Sequence, residues 1–376
     1  MPAQVQTSRA PGGPRLWFLV PGDLNTPTGG YRYDGRLIQG LRSLGWRVEH
    51  RALDPSFPHP SRTALQAAER RLAGIPDGET VVVDGLALGA LPESAEVHGR
   101  RLALVGLIHH PLWLETGLDG HSAETLRRSE VRALSRTARV VVTSRATARL
   151  LQDQGTPASR IRVVVPGVDP APVSVGSPGQ AVQLLCVATL TPRKGHDLLL
   201  RALAGLRALP WQLHCVGSLD RDPSWAAGLL ALRRDLGLEG RVVFAGALDE
   251  AGLARAYTGA DLFVLPTRFE GYGMVVAEAL ARGLPVVATR TGAIPDLVPP
   301  EAGILVSPGE PAALGEALGR ALVDGGLRRR LAAGARAAGP RLPTWEDAAR
   351  DFAAACQDIP SGDSPPEGTP YGGTHG

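Results

Sequence analysis

The chain of 376 residues carries one lysine among 40 basic residues, three cysteines, two methionines and 5% aromatic residues. The cysteines, Cys186, Cys215 and Cys356, are odd in number and far apart, so they give neither a disulfide framework nor a zinc-knuckle spacing. Long apolar runs are missing: Leu102–Ile108, among the longest, falls far short of the ~20 residues of a membrane helix. Leu16–Val20 is too short for the apolar region of a signal peptide and runs into Pro21-Gly22, so the expected address is the cytoplasm. Charge of one sign is not in excess: the formal net charge is +3, and no nucleic-acid partner is expected. That charge is uneven, with 21 cations against 16 acids in residues 1–178, a mildly basic half suited to acidic partners. What remains is 44% hydrophobic with a mean hydropathy of −0.01, a globular composition long enough for two cores.

The one lysine lies in Thr191-Pro192-Arg193-Lys194-Gly195-His196. A coding bias that writes nearly every cation as arginine has spared this position, which suggests a need for a compact point charge where a planar fork would not fit. A strand-like run, Leu184–Thr189, leads in, and a helix-like run, Asp197–Ala208, leads out. A cation and free backbone N–H groups at a strand-to-helix turn make a phosphate site. The ordinary alternative is a solvated surface lysine, and the residues that follow weigh against it.

Short apolar runs alternate with longer helical stretches in two series, the pattern of parallel sheets wrapped by helices. The first series places strands near Arg15–Val20, Arg47–Arg51, Glu79–Asp84, Arg101–Ile108, Arg139–Thr143 and Ile161–Val165. After a linker rich in Pro, Gly, Ser and Val, from Pro166 to about Gln180, the second places them near Val182–Thr189, Trp211–Val216, Arg241–Gly246, Asp261–Pro266, Pro285–Ala288 and Gly303–Val306. The expectation is two doubly wound sheets facing each other, with ligands in the loops beyond the strands' carboxyl ends. The ends, 1–13 and 359–376, are dominated by Pro, Gly, Ser and Thr and are expected to be disordered.

Phe269-Glu270-Gly271-Tyr272-Gly273-Met274-Val275-Val276-Ala277-Glu278 follows the strand ending at Leu265-Pro266. Met274–Ala281 reads as a buried helix whose start turns N–H groups toward a ligand, and Gly271 and Gly273 let the backbone pass close to it. Carboxylates repel phosphate, so Glu270 and Glu278 suit hydroxyls, one on a ribose and one on a sugar. The competing structural readings are a salt bridge from Glu278 to Arg282, its i+4 neighbour, and a capping role for Glu270.

Together the two series, the Lys194-Gly195 turn and Glu270-x7-Glu278 resemble family 4 of the retaining glycosyltransferases, which have the GT-B architecture of two facing Rossmann-like domains. The likeness runs from Gly29-Gly30 to a closing helix around Trp345–Cys356. It is most specific in Val187–Leu200, Val216-Gly217-Ser218, Gly246-Ala247-Leu248, Ala260–Leu265 and Glu270–Val287. The resemblance implies an acceptor-side domain at 14–178 that includes a closing helix at 343–358, and a nucleotide-sugar domain at 179–342. It makes Lys194 a diphosphate ligand, Glu278 a ribose ligand and Glu270 a ligand of the transferred sugar. Amides around Gly273, Met274 and Val275 then hold the diphosphate, while residues near Gly217 and Leu248 border the base. One position departs from the pattern: Ala188-Thr189-Leu190 stands where the family has Gly-Arg-Leu, so Thr189 replaces the arginine that shares the diphosphate. Arg193 is the nearest substitute, although side chains adjacent at a turn often point apart.

In the front half, Thr28-Gly29-Gly30-Tyr31 stands where the family uses a glycine-rich loop beside diphosphate and acceptor; it is not a G-x-G-x-x-G fingerprint. In Ile108-His109-His110-Pro111, the histidine two residues before the proline, His109, matches the one that reaches the donor sugar across the cleft. His110 is the alternative, and Glu115 is expected to orient a histidine or meet the acceptor. The implied reaction moves a sugar from a nucleotide diphosphate sugar to a hydroxyl acceptor, glycan or lipid-linked, with retention and with no cofactor or metal ion. Three other classes compete with this reading: a pyridoxal phosphate phosphorylase, for which a single lysine at a phosphate turn is poor equipment; a sugar-nucleotide epimerase; and a non-catalytic sugar-nucleotide-binding protein, favoured only by Thr189. Arg128, Arg132 and Arg136 form an i, i+4, i+8 stripe that suits lipid headgroups at the inner face of a membrane. With Glu124 four residues before Arg128, the stripe equally fits a solvated helix face.

Overall fold

A computed structural model describes residues 13–26, 28–115 and 117–359. The terminal stretches expected to be disordered lie, apart from residues 13 and 359, outside the described residues. The first six strands are β1 (Arg15–Pro21), β2 (Arg47–Leu53), β3 (Thr80–Asp84), β4 (Ala103–Ile108), β5 (Arg139–Val142) and β6 (Ile161–Val163). The next six are β7 (Val182–Val187), β8 (Trp211–Val216), β9 (Val242–Gly246), β10 (Leu262–Leu265), β11 (Val286–Thr289) and β12 (Gly303–Val306). They form two parallel sheets, ordered β2-β1-β3-β4-β5-β6 and β12-β11-β10-β7-β8-β9. Each expected strand is found, and most are shorter by a residue or two. β7 stops at Val187, although Ala188 N still donates to Val216 O at 2.9 Å.

Parallel strands covered by helices on both faces need apolar side chains at successive positions. β5, β10 and β11 are buried throughout. The helix expected at Asp197–Ala208 is shorter, His196–Ala204, and ends at Gly205. The closing helix, Trp345–Gln357, begins with a capping box between Thr344 and Asp347. It returns to the first sheet, where Phe352 stacks on Phe18 with ring centroids 6.2 Å apart.

Strand order fixes where ligands can sit. In the second sheet the order reverses between β7 and β10, so the loops after these strands diverge to opposite faces and leave a crevice between them. Those loops carry Lys194 and Glu270. In the first sheet the reversal falls between β1 and β3, followed by β4, whose carboxyl ends carry Gly29-Gly30, Asp84 and His109 respectively.

Candidate functional site

On the second sheet, the loop after β7 forms a short 3-10 turn, Pro192–Lys194, then enters helix His196–Ala204 through Gly195. The loop after β10 enters helix Met274–Ala281 through Gly273. Both glycines have left-handed φ, 69° and 96°, a conformation that admits Gly cheaply and turns the first amides of each helix outward. Lys194 Nζ donates to Glu270 Oε2 at 2.5 Å. Arg193 and Lys194 do not point apart: Arg193 Nη1 lies 3.9 Å from the same Glu270 oxygen and donates to Phe269 O at 3.1 Å. Burial lowers the Lys194 ammonium below its ordinary range, with Arg193 adding to the effect and Glu270 opposing it. Burial pushes the Glu270 carboxyl up, but Lys194 and Arg193 outweigh it and hold it below the ordinary range. Two cations thus flank one ionised carboxylate at the switch point.

Glu278 is only 7% exposed. The expected alternative, a salt bridge to Arg282, is not formed. Arg282 donates to the Glu278 backbone carbonyl at 3.0 Å, and its guanidinium lies over the Tyr257 ring at 4.5 Å. The carboxylate instead receives Tyr257 OH at 2.9 Å and, from the opposite half, Arg32 Nη1 at 2.5 Å. Arg32 also donates to Asp169 in the linker at 3.1 Å, and Asp169 is shared with Arg36. Nothing in the sequence near Arg32 announces a partner 246 residues away.

Thr28 caps helix Gly29–Ser43 by accepting from Tyr31 N at 3.4 Å. A Cβ on Gly30 would come within 3.4 Å of the His109 ring, and one on Gly29 within 3.9 Å of Met274 Sδ. The glycine loop therefore sits between the expected histidine and the start of the Met274 helix. Gly271, expected to admit a ligand, packs against His109 O, where any Cβ would collide. Gly217 accepts no side chain for the same reason, pressed on Ala188 and bonded through its N–H to Gly246 O at 2.9 Å; Leu248 beyond it is exposed, and Thr189 is half-buried. Met274 and Val275 open their helix half-buried, and Val275 O accepts from Tyr257 OH at 3.2 Å. Glu115 meets His110 Nε2 at 3.0 Å and stands 3.7 Å from Arg193 Nε, so its histidine contact is with the one beside His109.

His109 itself faces two acids that sequence reasoning missed. Its Nε2 lies 3.1 Å from Asp34 Oδ1 and 3.2 Å from Asp84 Oδ2, and both aspartates are fully shielded from solvent. These contacts satisfy distance rather than hydrogen-bond geometry, since both Asp34 oxygens lack an aligned donor. Burial opposes charge on the imidazole, but Asp34 and Asp84 outweigh it and raise His109 to about 10. Burial raises Asp34 as well, with His109 pulling the other way. Asp34, Asp84 and His109 also form the one group of three such residues, among those described, whose donor atoms lie within 4.8 Å of one another. Two signals pointed there: Asp84 ends β3 at the topological switch, and Asp34 follows Gly30 by one helical turn.

The arginine stripe is paired. Arg128 bonds Glu124 at 2.6 Å, Arg132 reaches Glu93 and Glu96 at 2.8 Å each, and Arg136 reaches Glu96 at 3.1 Å, as on a solvated face. No helix among the described residues is long and apolar enough to cross a membrane. The three cysteines are buried and free.

Two parallel Rossmann-like sheets, each bringing its switch-point loops to a common cleft, define the GT-B class. Residues 85–172 match the family described as Glycosyltransferase Family 4, and residues 181–324 match Glycosyl transferases group 1. The chain is 30% identical over 325 residues to the GDP-mannose-dependent alpha-(1-6)-phosphatidylinositol monomannoside mannosyltransferase of Mycolicibacterium smegmatis, covering 80% of this chain and 81% of that protein. It is 35% identical over 219 residues to the D-inositol 3-phosphate glycosyltransferase of Xylanimonas cellulosilytica, where it spans about half of that relative, 52%. Among solved structures, sucrose-phosphate synthase from Thermosynechococcus elongatus shares the fold with a TM-score of 0.78 at 23% identity, covering 92% of this chain and 99% of that one. Anabaena Alr3699/HepE, solved with UDP and glucose, superposes with a TM-score of 0.75 at 20% identity, covering 92% and 100%. The chain belongs to glycosyltransferase family 4.

Proposed function

We propose that this protein transfers a sugar from a nucleotide diphosphate sugar to a hydroxyl acceptor, keeping the anomeric configuration. The observation that carries this reading is the convergence of Lys194 and Arg193 on Glu270 at the β7/β10 switch point, beside the outward amides of the Met274 helix. A diphosphate takes the cations and amides; the carboxylate released from them takes sugar hydroxyls. In this reading Lys194, Arg193 and the amides of Met274 and Val275 stabilise the charge that grows on the leaving diphosphate, as an oxyanion hole does. Glu270 holds the sugar and Glu278 the ribose, with the base between Gly217 and Leu248. As the anomeric C–O bond breaks, the acceptor oxygen bonds to the same face and its proton passes to the departing phosphate oxygen. His109, on the opposite wall, meets the sugar when the domains close, and closure excludes water. His110 and Glu115 border the acceptor, which we take to be a glycan or lipid-linked alcohol at the inner face of a membrane. The reading requires no metal ion.

The test is direct. The protein is incubated with UDP-, GDP- and ADP-sugars, and donor consumption is followed with and without an alcohol panel that includes inositol phosphates and polyprenyl phosphate-linked sugars. Acceptor-dependent release of nucleoside diphosphate, with product retaining the donor's anomeric coupling by NMR, supports it. Donor isomerised without any acceptor points to an epimerase, and an inverted product removes the retaining mechanism.

A further inference from the structure

We propose that Arg32 is a donor-binding residue: it supplies the diphosphate cation that Thr189 lacks, moving from Glu278 onto the phosphates as the donor enters. This rests on the reading of Glu278 as a ribose ligand. Arg32 lies on the first turn of helix Gly29–Ser43, whose start abuts Met274, the first residue of the helix whose amides would hold the diphosphate. Its guanidinium crosses the cleft to Glu278, four residues along that same helix and so only about 6 Å beyond those amides. The Arg32 side chain is 41% exposed, whereas that of Glu278 is 9% exposed, so of the two partners the arginine has the room to move.

Glu278 Oε2 is engaged by Tyr257 and Oε1 by Arg32. Ribose hydroxyls donate, so one arriving at Oε1 competes with the guanidinium for that oxygen's lone pairs. The displaced cation keeps Asp169 alone, and Asp169 is already shared with Arg36, which leaves a positive charge without full compensation at the cleft's edge. The incoming diphosphate is the nearest new anion, and a planar fork suits phosphate oxygens. Lys194 and Arg193 would exchange Glu270 in the same way, so each glutamate holds a cation until the donor binds and then releases it to the phosphates.

Isothermal titration with UDP, GDP and ADP and with the three matching monophosphates tests this. Wild type is expected to prefer the diphosphate of its base over the monophosphate. Arg32→Gln should cut that preference on the order of tenfold, the scale of one charge-assisted hydrogen bond, while monophosphate affinity holds or rises because Glu278 is freed. Arg32→Lys should restore part of the preference, and a single cooperative melt, lowered by no more than the loss of one ion pair, confirms that the variants fold. If Arg32→Gln tightens mono- and diphosphate equally, the arginine is only a competitor for Glu278 and the proposal fails; an unchanged preference sinks it too. Wild type that binds none of the three diphosphates defeats the donor-site reading itself, a result distinct from tight wild-type binding with an indifferent Arg32.

Discussion

Lys194 Nζ and Glu270 Oε2 meet at 2.5 Å, joining two loops 76 residues apart in the chain. Their side chains are 14% and 12% exposed, so the pair forms largely out of water. A buried ion pair of this kind is weak support for stability, because desolvation of both charges offsets most of their attraction. Its placement at the switch point favours a functional explanation, in which a ligand substitutes for each partner.

If so, Lys194→Ala should cost roughly 2 to 4 kcal/mol of transition-state stabilisation, the scale of one lost oxyanion donor. Lys194→Arg should recover only part, since a wider planar cation cannot occupy the same point. Turnover should persist in EDTA. Steady-state kinetics with and without chelator decide: full activity in Lys194→Ala removes the phosphate role, and loss in EDTA reversed by magnesium means that a metal ion shares the diphosphate.

Glu270→Gln and Glu278→Gln should each lower kcat/KM, because an amide donates where the sugar or ribose also donates. Glu278→Gln should in addition lose about 1 kcal/mol of stability, since the amide still accepts from Tyr257 but no longer pairs with Arg32. Wild-type kinetics in both variants would be incompatible with the proposed ligand roles.

The twelve strands were legible because parallel strands covered on both faces write themselves as short apolar runs, and Lys194, Glu270 and Gly273 were legible because they sit in the loops that end such runs. The helix Met274–Ala281 was read to the residue, since its apolar content runs without interruption between Gly273 and Arg282. Arg32 on Glu278 was not legible: which cation meets a given carboxylate depends on how two sheets face each other, and no local pattern encodes that. Asp34 and Asp84 were missed for a related reason, as each looks like a helix or strand-end acid until the β1/β3 reversal brings both to His109. Whether the adjacent side chains of Arg193 and Lys194 diverge was not legible either; both approach Glu270 from the 3-10 turn.

Glu130 offers a test of the fold independent of function. It is buried, accepts from Leu112 N at 3.0 Å and, among the described residues, leaves Oε1 without a hydrogen-bond partner, and burial pushes its carboxyl up to about 8. A folded-state value above the unfolded one means that its contribution to stability is fully present below about 4.5 and is lost as pH rises through about 8. Glu130→Gln keeps the bond from Leu112 and removes the titration, so it should melt above wild type at pH 8.5 and close to it at pH 4.5. A difference that does not change with pH would show that the carboxyl is not held protonated.

His109 carries the corresponding test at the cleft. Asp34 and Asp84 hold its proton to about 10, so the imidazolium persists through neutral pH and its charge faces the glycine loop. Because the folded value lies above the unfolded 6.5, the stability gained is complete below about 6.5 and disappears as pH climbs through about 10. Wild type should therefore lose more melting temperature between pH 7 and 10 than His109→Gln does. Asp84→Asn should bring the imidazole's titration, followed by NMR of its ring protons, down toward the ordinary range, and the alkaline limb of kcat should follow it. His109→Ala should depress kcat more than donor affinity, since the residue meets the sugar only across the closed cleft. Damage confined to His110→Ala, with His109→Ala silent, would instead move the sugar contact to the neighbouring histidine that Glu115 holds.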